Sequence, residues 1–310
     1  MTEACAYTVD VVSPQFPCGA AWLANALLEL QVPLPHLWGF ETAAEWQDVG
    51  DGVSRYAAMH GPWRQTLASL WPGRDFHFVQ GVRPRFTHAF PWQLAPNQRT
   101  VWMVRDPRDA LYSEWRRHQR NEGLSPAIDL PEFLRSPFLG GPVSVVDMLW
   151  LHLRAWQAVA QACPEQVLVL RFEDWKKRPV ESLATAVRWI GVDACTEALQ
   201  QACAASDVSR LQAIEQALAL DDAQSRQFNR RGAVLEWEGT WPRSWYRAMG
   251  PEWLPLLHFL GYAPLQETGA PAPVCNLVEF LAWRGADGPQ QRGAWTSALQ
   301  PINAARRAST

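Results

Sequence analysis

Several large protein classes are excluded by what this chain lacks. No Gly-Lys-Ser/Thr closes any of its glycine-bearing loops, and no Mg²⁺-binding Asp follows an apolar strand where a P-loop kinase would need one. The six cysteines (Cys5, Cys18, Cys163, Cys195, Cys203 and Cys275) form no C-x-x-C and share no paired-histidine spacing. That argues against a disulfide framework and a zinc site, and makes reduced, cytoplasmic thiols the expectation. No basic leader precedes an apolar core at the N-terminus, and no run approaches membrane-spanning length. A net charge of −3 gives no broad field for nucleic acid or anionic lipid, so any phosphate site has to be local. What is abundant is tryptophan, 18 in 310 residues, with an apolar fraction of 48% that suits a globular core. Most of those rings are packing; so many flat side chains also suit the walls of a ligand pocket.

The informative stretch is YTVDVVSPQFPCGAAWLANALLEL, residues 7–30. A β-branched run (7–12) reads as a buried strand, and a loop with Pro14, Pro17 and Gly19 follows. Trp22, Leu23, Ala26, Leu27 and Leu30 then recur at helical spacing. A strand, a tight loop and a helix N-terminus together aim backbone N–H groups and a positive dipole at one point, which suits a phosphate. An ordinary strand–helix corner eased by Gly19 reads the same way at this stage.

Further on, residues 53–70 read as a helix, 76–80 as a second strand, 81–96 as a loop and 99–105 as a third strand. Asp106-Pro107 then opens a helix to about residue 118, as N-cap and first helical position. Residues 119–142 read as a mobile, Pro/Gly-punctuated segment, 144–163 as a long amphipathic helix and 166–171 as a fourth strand. Residues 179–190 read as a helix closed by Gly191. Helices over 196–204, 208–219 and 252–260 follow, and from Gln266 the composition shifts to Gly, Pro, Ala and Arg. The expected organisation is one α/β domain over 1–265, with a tail or cover over 266–310. Its core would be a central parallel sheet flanked by helices, binding ligands beyond the carboxyl ends of the strands.

Two more stretches carry chemistry. In VWMVRDPRDALYSEWRRH (101–118), Arg105 ends a strand and Ser113 lies two helical turns on. An arginine fork with a nearby hydroxyl can hold a phosphate, and surface pairing of Arg105 with Asp106 or Asp109 is the alternative. In QFNRRGAVLEWEGTW (227–241), Arg230-Arg231-Gly232 is an anion clamp or, equally, a solvated charge run.

Taken in order, these stretches resemble the cytosolic-type sulfotransferases that use 3′-phosphoadenosine 5′-phosphosulfate (PAPS). The resemblance covers about residues 7–261 and implies their P-loop-like α/β architecture. Where that family has P-K-S-G-T-T-W around the 5′-phosphosulfate, this chain has Phe16-Pro17-Cys18-Gly19-Ala20-Ala21-Trp22. The resemblance implies that the backbone of Cys18, Gly19, Ala20 and Ala21 binds the 5′-phosphosulfate and that Trp22 stacks on adenine. The family's strand-ending Arg and its Ser eight residues later fall on Arg105 and Ser113, as 3′-phosphate ligands. Its Y-E-D turn is matched by Phe172-Glu173-Asp174, ahead of Lys176-Lys177-Arg178-Pro179, with Phe172 beside adenine. Its late F-x-R-K-G-x-x-x-x-W is matched by Phe228, Arg230, Arg231, Gly232 and Trp237, whose basic pair and glycine would grip the 3′-phosphate.

On the acceptor side, Thr87-His88-Ala89-Phe90-Pro91 resembles the family's T-H-L-P with one extra residue, which implies that His88 is the general base. A loop or N-cap histidine is the alternative that residue type alone favours. The departures fall in the first loop: Pro17 replaces the lysine that neutralises the leaving oxygen, and Ala20 and Ala21 replace two hydroxyl residues. Arg83 or Arg85 could supply the missing charge, or Gln15 could reach the phosphate; otherwise the protein binds nucleotide and transfers slowly or not at all. The expectation is transfer from PAPS to a hydroxyl or amine of a small-molecule acceptor, leaving adenosine 3′,5′-bisphosphate (PAP). No metal, nucleic acid or membrane is implied, and homo-oligomerisation stays open. Trp38, Trp46, Trp63, Trp92 and Trp241 are candidate acceptor walls.

Overall fold

The computed structural model describes residues 8–32, 82, 84–121, 128–210, 212–213, 232–238, 249–265 and 276–299. The expected helix at 53–70 and strand at 76–80 lie outside these residues, as do Arg83, Phe228, Arg230, Arg231, Trp38, Trp46, Trp63 and Trp241. Most of the expected 208–219 helix does too.

Strand β1 (Val9–Val12) leads through the proline loop into α1 (Ala20–Glu29). Strand β2 (Pro84–Thr87) follows, within the segment expected to be loop, and β3 (Thr100–Val104) runs into α2 (Pro107–Asn121). Asp106 caps α2 as its sequence predicts, with the Arg108 amide donating to Asp106 Oδ1 at 3.0 Å and Pro107 at the first helical position. In the segment expected to be mobile, the described residues 119–121 and 128–142 include regular structure. Helix α2 runs three residues further than expected, and α3 (Leu130–Arg135) is capped by Asp129 and buries Leu130, Phe133 and Leu134. Ser144 caps α4 (Val145–Ala162), which leads to β4 (Val167–Arg171), α5 (Phe172–Lys177), α6 (Pro179–Ile190) and α7 (Thr196–Ala205). After α8 (Trp253–Phe259), residues of the expected tail form α9 (Leu277–Trp283) and α10 (Pro289–Leu299).

The sheet is parallel throughout, in the order β2-β1-β3-β4. Strand β1 sits between β2 and β3, so the chain leaves β1 to one side and returns on the other. Such a reversal opens a crevice at the carboxyl ends of the strands. Parallel strands are covered on both faces, which is why β1 and β3 are apolar and buried along their whole length. One core gathers residues of α1, α6 and α7 against one face; the other gathers α2, α3, α4, α8, α9 and α10 against the opposite face. Leu277, Phe280, Leu281 and Leu299 belong to that second core. No helix among the described residues is long and apolar enough to cross a membrane.

One core residue sets a pH dependence. His152 on α4 is 1% exposed, and neither ring nitrogen has a partner among the described residues. Burial holds its pKa well below 6.5, so it folds neutral. Between its folded and unfolded pKa values the unfolded chain binds the extra proton, so this contribution to stability is lost as pH falls below about 6.5. Buried carboxyls with raised pKa values, Asp109 and Glu173 among them, act with the opposite sign over the acid range. Thermal unfolding of wild type and His152→Phe from pH 7.5 to 4.5 separates the two. The variant should lose less stability below about pH 6.5, and parallel curves would contradict the assignment.

Candidate active site

Four strand ends and one returning segment build a single site. From β1 comes the loop 13–19; from β2, His88; from β3, Arg105; from β4, Phe172. Residues 232–238 join them through Arg105 and Asp109. Gly19, the N-cap of α1, takes a left-handed φ of 84° and offers no capping side chain, so the first amides of α1 and its positive dipole end are left for a ligand. A Cβ on Gly19 would lie 2.6 Å from both Phe172 and Trp175. Gly19→Ala should therefore cost about 1–2 kcal/mol for the backbone conformation and roughly 1–3 kcal/mol for overpacking. Denaturant unfolding checks the sum; a cost within measurement error would contradict this packing.

Aromatic rings gather beside the loop. The Trp22 and Trp175 rings lie 3.8 Å apart, tilted, and the Phe172 and Trp175 rings 5.7 Å apart. Ala20 is half-buried at the start of α1. Cys18 is buried and its thiol is pushed up to about 12, by burial first, so it is no nucleophile.

Arg105 is 5% exposed and is not a surface ion pair. Its guanidinium donates to the Ala233 carbonyl at 2.8 Å and the Pro17 carbonyl at 3.4 Å, and lies 3.8 Å from Asp109 Oδ2. It also sits 4.7 Å from the Phe172 ring centroid. Its Nε is buried with no partner among the described residues. Asp109 accepts from the Leu235 amide at 2.6 Å and the Trp237 amide at 3.2 Å, while burial pushes its carboxyl up to about 6. Arg105 and Asp109, one turn apart, thus tie the returning segment to the first loop. Ser113 is half-buried further along α2. Gly232 has a φ of 58°, and a Cβ there would lie 3.6 Å from Lys176 Nζ, so a lysine of the basic turn joins this end of the site.

Glu173 stitches the same end together. It accepts from the Asp106 amide at 2.8 Å and from the Tyr262 hydroxyl at 2.8 Å, which joins β3, β4 and the segment after α8. Burial raises its pKa.

His88 is half-buried against Phe86, and its Nδ1 lies 3.0 Å from the Ser13 carbonyl. A carbonyl only accepts, so Nδ1 carries the proton and the lone pair is on Nε2. Burial lowers its pKa below 6.5, so the ring is neutral at pH 7. Arg85 does not join this cluster: Nε and a terminal nitrogen bind Asp10 Oδ1, each at 2.8 Å, across the β1–β2 register. Trp92 packs against Phe90 at 4.6 Å and Trp295 at 4.8 Å. A cavity of about 270 Å³ opens beside Gln15, lined also by Glu114, Arg117, His118, Phe133 and Phe138.

Sequence reasoning passed over Asp109 as a ligand-shaping residue, Glu173 as a tie, and Arg284. Asp109 had a signal, its one-turn spacing from Arg105. Arg284, from the end of α9, donates to Gln15 Oε1 at 3.2 Å across 269 residues of chain, and nothing local announces it.

The comparisons agree with this architecture. A family profile describing a sulfotransferase domain matches residues 74–249, more than half of the chain. Cytosolic sulfotransferase 13 of Arabidopsis thaliana is 22% identical over 249 residues, 74% of this chain and 71% of that protein. Among solved structures, mouse sulfotransferase SULT7A1 complexed with PAP superposes with a TM-score of 0.53 at 18% identity, over 81% of this chain and 84% of that one. A retinol dehydratase in complex with retinol and PAP gives 0.50 at 16% identity, over 87% and 85%. By its matched domain, this chain belongs to the sulfotransferase family.

Proposed function

We propose that the chain transfers a sulfuryl group from PAPS to a hydroxyl or amine of a small-molecule acceptor, in a cytoplasmic setting. The observation that carries the reading is the bond from His88 Nδ1 to Ser13. It fixes a neutral base against the loop whose amides face an anion. The site suits the donor on two further counts: the buried Arg105 Nε has no partner among the described residues, and Trp22, Phe172 and Trp175 cluster about Gly19.

When bound, PAPS supplies the sulfuryl group and leaves as PAP. The backbone amides of Cys18, Gly19, Ala20 and Ala21 hold the 5′-phosphosulfate, and Trp22 and Phe172 flank adenine. Arg105 and Ser113, with Arg230, Arg231 and Gly232 assigned from the motif that Phe228 opens, hold the 3′-phosphate. His88 Nε2 takes the acceptor's proton, and the cavity beside Gln15 gives the acceptor room. No metal enters this scheme.

Calorimetric titration tests the donor assignment. PAP should bind and ATP should not; ATP binding without PAP binding would overturn it. A second reading, a PAP-binding relative that transfers slowly or not at all, has Pro17 in its favour, because the family's lysine is absent there.

A further inference from the structure

Pro17 leaves the donor loop without a positive side chain at the point where negative charge develops. The chain's two lysines, Lys176 and Lys177, both lie in α5. Arg85 is bound to Asp10, and Arg105 to the carbonyls of Pro17 and Ala233. Among the described residues another cation reaches the loop, from α9.

Arg284 ends α9, whose Leu277, Phe280 and Leu281 are buried in the main core and whose first turn is capped by Asn276. The Trp92 indole N–H donates to the Arg284 carbonyl at 3.2 Å, fixing this turn to the segment that follows His88. The guanidinium carbon lies 5.0 Å from the Phe90 ring centroid and 5.0 Å from that of Trp283. One terminal nitrogen donates to Gln15 Oε1, in the donor loop, while Nε is buried with no partner among the described residues. No carboxylate among the described residues pairs with it. A partly buried cation held by a neutral amide and two aromatic faces is under-compensated, and an anion is what completes it. Its charge also reaches His88, where it adds to burial in disfavouring the protonated ring.

We propose that Arg284 contacts the sulfuryl group of the bound donor and supplies, from the C-terminal helix pair, the charge that Pro17 cannot carry. This rests on the sulfotransferase reading above. As the acceptor oxygen or nitrogen bonds to sulfur, the bond from sulfur to the bridging oxygen of the 5′-phosphate breaks. Its electron pair stays on that oxygen, the acceptor's proton passes to His88 Nε2, and Arg284 remains protonated throughout. A fixed cation facing the migrating group favours the transition state over the ground state.

The test compares Arg284→Met, which keeps length and apolar packing, with Arg284→Lys, which keeps charge. Affinities for PAPS, measured without acceptor, and for PAP are read beside the transfer rate. In Arg284→Met, PAPS affinity should fall roughly 10-fold or more with PAP affinity unchanged, and transfer should fall roughly 10²–10³-fold. Arg284→Lys should recover part of both. Equal loss of PAP and PAPS affinity, or no loss of either, would show a purely structural arginine and overturn the proposal. Should Arg284→Met fail to fold, Arg284→Gln carries the same comparison. Failure of the wild-type protein to bind PAP would instead overturn the underlying reading, so the two failures are distinguishable.

Discussion

Replacing His88 with alanine should lower sulfuryl transfer by roughly 10²–10⁴-fold, the usual contribution of a positioned general base. PAP affinity should not change, because His88 is anchored to Ser13 and not to the amides or the arginine that face the nucleotide. The pH profile adds a second readout. The base works only when neutral, and burial lowers its pKa, so the acid limb of the transfer rate should lie below about pH 6.5. Full activity in His88→Ala would remove the residue from the mechanism. An acid limb above that pH would place the titrating group elsewhere.

The second large effect is on Asp109, through structure more than chemistry. Asp109→Ala would leave the Leu235 and Trp237 amides without their acceptor and Arg105 without its buried counter-charge. Removing one partner of a buried pair typically costs about 3–5 kcal/mol. PAP affinity should fall as well, since the segment that carries Gly232 loses its tie to the first loop. Asp109→Asn, which retains an oxygen to accept one amide, should lose less on both counts. Denaturant unfolding and PAP titration read the two effects, and unchanged values in the alanine variant would contradict the tie.

Local patterns foretold much of this protein, and the reasons for the gaps are physical. The strand–loop–helix of β1 and α1, the Asp106 cap and the closure of α6 at Gly191 each follow from short-range chemistry: β-branched runs, capping oxygens and a left-handed glycine. Strand β2 was hidden because it is four residues long and begins with Pro84; its identity comes from parallel pairing with β1. Helix α3 was obscured by Pro131, which belongs in a first turn and reads as a loop signal without the Asp129 cap beside it. Arg105 and Gly19 could be picked out because each ends or begins an element, and His88 because its neighbours resemble the family's T-H-L-P motif. Arg284 could not, since its place beside Gln15 depends on α9 docking onto the core.

Arg85 shows the converse. From sequence it was a candidate for the missing charge. The β1–β2 register sets it opposite Asp10, whose carboxylate it binds at 2.8 Å. Arg284, a second described cation at the donor loop beside Arg105, comes from a segment whose composition suggested a tail or cover. The core that seats α9 becomes part of the site's chemistry.

The most direct test of the whole account is sulfuryl transfer from ³⁵S-labelled PAPS to a panel of phenols, alcohols and amines. Labelled product is expected from at least one acceptor, with PAP released in equal amount and both reduced roughly 10²–10⁴-fold in His88→Ala. Tight PAP binding with no labelled product across the panel would contradict it, and would mark the chain as a nucleotide-binding member of its family that Arg284 does not rescue.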